Sequence, residues 1–124
     1  MGITYPDPPK GKEWLYVGYY IDTKGRFILK IGTTNNLTRR KAEHTRKYHK
    51  SPDYTLPEDA SFQYVWWHPL SKYNTIRFED KTRAMWQAGN IGQYIRNDRF
   101  FCSTRPQKVQ VKIRKTYDIV ITPV

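Results

Sequence analysis

Cysteine and acidic side chains are what this chain is short of. The single cysteine, Cys102, excludes an intramolecular disulfide and any zinc site built on cysteines. It suits a reducing, intracellular setting, cytoplasm or nucleus, rather than secretion. Acids number 11 against 22 Lys and Arg, a formal net charge of +11. That imbalance suits a polyanion such as nucleic acid, because Lys and Arg contacts to phosphate supply most non-specific affinity. A basic surface kept for solubility is the plainer reading. Nowhere is there an apolar run long enough to span a bilayer, and the opening residues lack the apolar stretch of a secretion signal; no membrane association is expected. Repeats and low-complexity segments are also missing. Aromatic residues are plentiful instead, with Tyr 10, Trp 4 and Phe 5. Together with 124 residues they argue for one folded domain with a single core.

The stretch from Leu15 to His44 organises the chain. Val17, Tyr19 and Ile21 share one face of a strand, and Tyr16, Gly18 and Tyr20 share the other, since side chains alternate with period two. Asp22-Thr23-Lys24-Gly25-Arg26 breaks the run, with Gly25 free to take positive φ. Phe27 to Ile31 form a second strand. Gly32-Thr-Thr-Asn-Asn turns the chain, and Asn35 or Asn36 can cap a helix beginning at Leu37. On it Leu37, Arg40, His44 and Tyr48 face one way. Pro6, Pro8 and Pro9 disfavour helix in residues 1–13, which read as an extended or frayed lead-in. Residues 14–124 then form a single domain. Phe62 to Trp67 reads as a third strand ended by His68-Pro69. A second helix is expected over Thr75–Ala88 and a further short one over Ile91–Ile95. Phe100 and Phe101 should anchor a compact segment, and the tail from Gln107 to Thr122 alternates as a half-buried strand. Trp66 and Trp67, being adjacent, should point to opposite sheet faces.

A hairpin, a glycine and a basic helix, with tyrosine on the first strand and arginine then histidine on the helix, resemble the catalytic core of the GIY-YIG endonucleases. Val17-Gly18-Tyr19 stands where that family has Gly-Ile-Tyr. Lys30-Ile31-Gly32 stands where it has Tyr-Ile-Gly, in a Lys-Ile-Gly variant like that of viral and phage-type members. Gly32, Arg40 and His44 meet its helix spacing. The resemblance implies an α/β (α+β) fold, a small central antiparallel three-stranded sheet flanked by helices, here with an added C-terminal strand. It also implies a nuclease domain over 14–124.

Hydrolysing a phosphodiester needs a base for the attacking water, positive charge at the phosphate and a Lewis acid near the leaving oxygen. The resemblance assigns the scissile phosphate to Arg40, whose planar fork holds two oxygens and stays charged. It gives water orientation or deprotonation to Tyr19, with Tyr16 a competitor because the first motif has lost its glycine order. Phenols ionise only at about pH 10, so such a tyrosine needs a cation nearby. If Lys24-Gly25 forms a two-residue turn, Lys30 lies directly across the hairpin from Tyr19; one more loop residue changes that pairing. His44 accepts from the tyrosine or holds a water. Glu79, on the later helix, is implied as the single ligand for Mg²⁺ or Mn²⁺, a hard carboxylate that leaves the ion several waters. As an ordinary helix residue it would favour the helix dipole and pair with Arg83.

Arg39, Arg40, Lys41, Arg46 and Lys47 are candidate contacts to the DNA backbone, which position DNA without reading its sequence. Specificity would come from DNA shape, a dimer or a partner protein. The expected function is therefore a metal-dependent DNA endonuclease. The alternative is a non-catalytic DNA-binding module on the same fold, and a weaker one is a basic RNA-binding protein of unrelated fold.

Overall fold

A computed structural model describes residues 4–45, 51–71, 92–95 and 99–102. Strand β1, Lys12–Ile21, pairs antiparallel with β2, Phe27–Thr34, and helix α1, Leu37–Thr45, follows at once. Strand β3, Gln63–Ser71, pairs with the other edge of β1. Among the described residues, strands β4, Gly92–Tyr94, and β5, Arg99–Cys102, extend this to a five-stranded sheet in the order β3-β1-β2-β5-β4, antiparallel throughout. Strands β3, β1 and β2 make the three-stranded sheet expected, widened beyond β2 by β5 and β4, and the fold is mixed α/β with a GIY-YIG-like arrangement. No helix among the described residues is long and apolar enough to cross a membrane.

The hairpin loop sets the register of everything that follows. Asp22 N donates to Arg26 O and Gly25 N to Asp22 O, each at 3.0 Å, so Thr23, Lys24 and Gly25 form a three-residue loop with Gly25 at φ 78°. The Asp22 carboxylate fastens it, accepting from Lys24 N, Arg26 N and Arg26 Nε at 3.0, 2.7 and 2.8 Å. Burial pushes that carboxyl up, but the Arg26 amide and guanidinium and the Lys24 amide outweigh it and hold it below the usual range. One loop residue more than the simplest turn shifts the pairing by one position. Tyr19 therefore lies opposite Leu29, not Lys30; Lys30 lies opposite Gly18, and Tyr16 opposite Gly32.

The sheet buries both faces. One carries Leu15, Val17, Leu29, Ile31, Val65, Trp66, Leu70 and Phe100. The other, under α1, carries Trp14, Tyr16, Tyr20 and Ile28, packed against Leu37, Tyr54 and Phe62. A bulge opposite Val17 and Gly18 inserts Val65 into β3, so Val65 and Trp66 both reach the first face. Trp67 packs on the second, opposite Trp66 as expected.

Three expectations are corrected. Strand β3 does not stop at His68-Pro69 but continues to Ser71; among the described strands it lies at the edge, where a residue without N–H is tolerated. Gly92–Tyr94 is a strand, not a short helix, because it pairs with β5 and Ile95 N closes on Arg99 O at 2.8 Å. A run that short has no periodicity to separate the two states. Phe100 is buried as foreseen, but on a strand that pairs with β2. The helix expected over Thr75–Ala88, the tail strand over Gln107–Thr122 and with it the C-terminal strand lie outside the described residues.

Candidate active site

Helix α1 is capped and tied down by polar groups the sequence places around it. Asn36 is the cap: its Oδ1 accepts from Arg39 N at 2.9 Å and its carbonyl from Arg40 N at 3.1 Å. Thr34 Oγ1 in turn accepts from Asn36 N at 3.0 Å. At the first turn Tyr64 Oη donates to the Leu37 carbonyl at 2.7 Å, and at the last Tyr20 Oη donates to the His44 carbonyl at 2.8 Å. The sheet thereby fixes both ends of the helix.

Between these ties Tyr16 Oη and His44 Nε2 share a hydrogen bond of 2.8 Å. Both residues are buried, 1% and 4% exposed. Two glycines make room for the pair. A Cβ on Gly32 would collide with the ring and hydroxyl of Tyr16, so only glycine lets the phenol lie across β2 toward the helix. A Cβ on Gly18 would collide with the ring of Phe62. That ring packs against His44, with centroids 4.7 Å apart, and edge-on to Tyr16 and Tyr20. The glycines of both motifs thus serve aromatic packing beside the tyrosine–histidine pair.

One turn before His44, the Arg40 side chain is 36% exposed and its Nη1 donates to Glu43 Oε2 at 3.0 Å. Its Nε is buried and has no hydrogen-bond partner among the described residues. Arg39 reaches the same carboxylate, Nε to Oε1 at 3.5 Å. Tyr64 lies in the same field. Burial pushes its phenol far above the usual range, the Tyr16 and Tyr5 hydroxyls add to the shift, and Arg40 opposes it. Lys41 extends its Nζ to Tyr5 Oη at 3.4 Å.

The structure thus joins Tyr16 to His44, with Arg40 one turn earlier on the same helix, and sets Lys30 on the sheet face of Tyr16, opposite Gly18. It does not bring Tyr19 there. Tyr19 is on the other face, packed against the cluster of Leu15 and Val17 and edge-on to Phe27 at 5.6 Å. The cause is the three-residue loop, which the sequence leaves open. Glu79, Arg46 and Lys47 lie outside the described residues. Glu43 and Tyr5 were missed. The spacing of Glu43 from Arg39 and Arg40, i+4 and i+3, was a readable signal; for Tyr5, eleven residues from its nearest catalytic candidate, there was none.

The T5orf172 domain model matches residues 13–88, more than half of the chain. This is a phage-associated domain related to GIY-YIG and HNH-like nucleases. No curated protein and no solved structure gives a significant match. The matched span holds Tyr16, Lys30, Arg40, His44 and Glu79, and excludes Tyr5.

Proposed function

The chain belongs to the T5orf172 family, and on that premise we propose that it is a metal-dependent DNA endonuclease working through Tyr16, His44 and Arg40. As a nuclease-like or DNA-binding module it has DNA as substrate or partner. One juxtaposition carries the catalytic reading. A buried tyrosine and histidine are joined at 2.8 Å, and one turn earlier an arginine keeps a buried Nε that no described residue satisfies. Leaving such a nitrogen unpaired costs about 1–3 kcal/mol or more. The arginine side chain as a whole is 36% exposed, and its outer guanidinium nitrogens are where a phosphate would be held.

In this reading a neutral His44 accepts the Tyr16 proton at Nε2, and the Tyr16 oxygen takes a proton from the attacking water. The water oxygen bonds to phosphorus as the bond to the leaving oxygen breaks, and that oxygen is protonated by solvent. Arg40 holds two phosphate oxygens as negative charge gathers on them. Lys30 adds positive charge from the same sheet face. In this reading the role falls to Tyr16 rather than Tyr19, because of the two only Tyr16 meets the His44 ring.

Among the described residues no group of three or more His, Cys, Asp or Glu could hold a metal. Glu43, the one acid of α1, is engaged with Arg39 and Arg40. The resemblance to the GIY-YIG nucleases gives the ligand for Mg²⁺ or Mn²⁺ to Glu79, whose hard carboxylate would suit such a cation. Bound there it would supply Lewis acidity to the phosphate.

The test is nicking of supercoiled plasmid with Mg²⁺ or Mn²⁺ by the wild type and by Glu79→Ala, both with melting curves to establish folding. Nicking by the wild type alone supports the reading. Nicking by both removes Glu79 from the metal. DNA binding by both without nicking replaces the enzyme with a binding module.

A further inference from the structure

We propose that Tyr5 and Lys41 form a second phosphate-binding station beside Arg40, so that residues ahead of the matched domain belong to the DNA-binding surface. The proposal rests on the DNA-binding reading above and adds to it a segment outside residues 13–88.

The segment leading into β1 has no regular secondary structure but is docked. Trp14 Nε1 donates to the Pro6 carbonyl at 3.1 Å. The Tyr5 ring stands edge-on to Tyr64 and to Trp67, with centroids 5.3 Å away in each case. Tyr64 is itself bonded to the start of α1, so Tyr5 is braced against the helix that carries Arg40. From that helix Lys41 Nζ donates to Tyr5 Oη at 3.4 Å and stands 5.8 Å from the ring centroid.

The bonding left over at this pair points to an anion. Arg39 and Arg40 share Glu43, whereas Lys41 has no acidic partner among the described residues. Its ammonium carries three donors and the contact with Tyr5 uses one. The Tyr5 oxygen accepts that bond, and its own proton has no acceptor among the described residues. Two donors thus converge from groups that are both only half-buried. An oxygen anion set between them would accept from both, and tyrosine and lysine are both ordinary donors to DNA phosphate. Packing against Tyr64 and Trp67 needs only the ring; the hydroxyl is needed for the anion.

Binding of a fluorescein-labelled DNA duplex, followed by anisotropy across a salt series in the presence of EDTA, tests this on the full chain. Wild type, Tyr5→Phe, Lys41→Ala and the double variant are compared. Lys41→Ala is expected to make the slope of log affinity against log salt shallower by about 0.9, the value for one phosphate. Tyr5→Phe should bind about tenfold more weakly with an unchanged melting temperature. The double variant should bind no more weakly than Lys41→Ala, since both groups hold one phosphate. Wild-type affinity in Tyr5→Phe, additive losses, or a binding loss matched by a lower melting temperature would each overturn the station while leaving the nuclease reading in place. A wild type that does not bind the duplex overturns both.

Discussion

Replacing Tyr16 with phenylalanine removes one oxygen and keeps the ring that lies over Gly32 and meets Phe62 edge-on. The cost to folding follows from the lost bond. His44 Nε2, in a residue 4% exposed, loses a partner at 2.8 Å. That costs about 1–3 kcal/mol, or a fall of roughly 4–12 °C in melting temperature for a domain of this size. The cost to catalysis should be larger. Removing a positioned proton acceptor slows the chemical step about 10²–10⁴-fold, equivalent to roughly 3–5 kcal/mol of barrier. DNA affinity should stay near wild type because Arg40 is untouched. Tyr19→Phe is the control from the opposite sheet face and should nick at the wild-type rate. Gly32→Ala reaches the same hydroxyl from beneath: its Cβ displaces the phenol, and activity should fall to the level of Tyr16→Phe. Initial rates of plasmid nicking, with melting curves for each variant, give the answer. Full activity in Tyr16→Phe together with loss in Tyr19→Phe would refute the placement and move the chemistry to the other face of the sheet.

Glu43 engages the guanidinium groups of Arg39 and Arg40 that the proposed function offers to phosphate. Glu43→Gln should therefore raise duplex affinity with little change in stability, as such exposed pairs contribute only about 0–1 kcal/mol to folding. Unchanged affinity by anisotropy would mean that the phosphates do not compete for these guanidinium groups. The Asp22 carboxyl is held below its ordinary value of 3.8, so its contribution to stability is present above that pH and is lost as pH falls through the lowered folded value. Asp22→Asn should lower the melting temperature at pH 7 and flatten the acid limb of the stability curve below about pH 4. A variant whose acid limb matches the wild type would show that Asp22 does not govern it.

Local chemistry was enough to place the hairpin, the Asn-capped helix and the third strand. Alternation, a turn-forming Asp-to-Arg stretch and a cap followed by a basic amphipathic run each need only neighbouring residues. The pairing of Arg40 with His44 on one helix face was legible for the same reason, being one turn of α1. Strand β5 was harder to see. Four residues carry no readable period, and Arg99–Cys102 becomes a strand by pairing with Phe27–Lys30, some seventy positions earlier.

The choice between Tyr16 and Tyr19 belongs to tertiary structure. Both tyrosines and both motif glycines were visible in the chain, but a strand's two faces exchange roles when its register moves by one residue. Here the register depends on whether Asp22 closes a loop of two residues or three. Its carboxylate bonds to Lys24 and Arg26 select three. The same holds for Tyr5, whose aromatic partners lie on a strand nearly sixty residues away. Sequence alone determined which elements form and which residue types are available for the chemistry. Which tyrosine reaches His44, and what Tyr5 packs against, depended on contacts between segments distant in the chain, which no local pattern encodes.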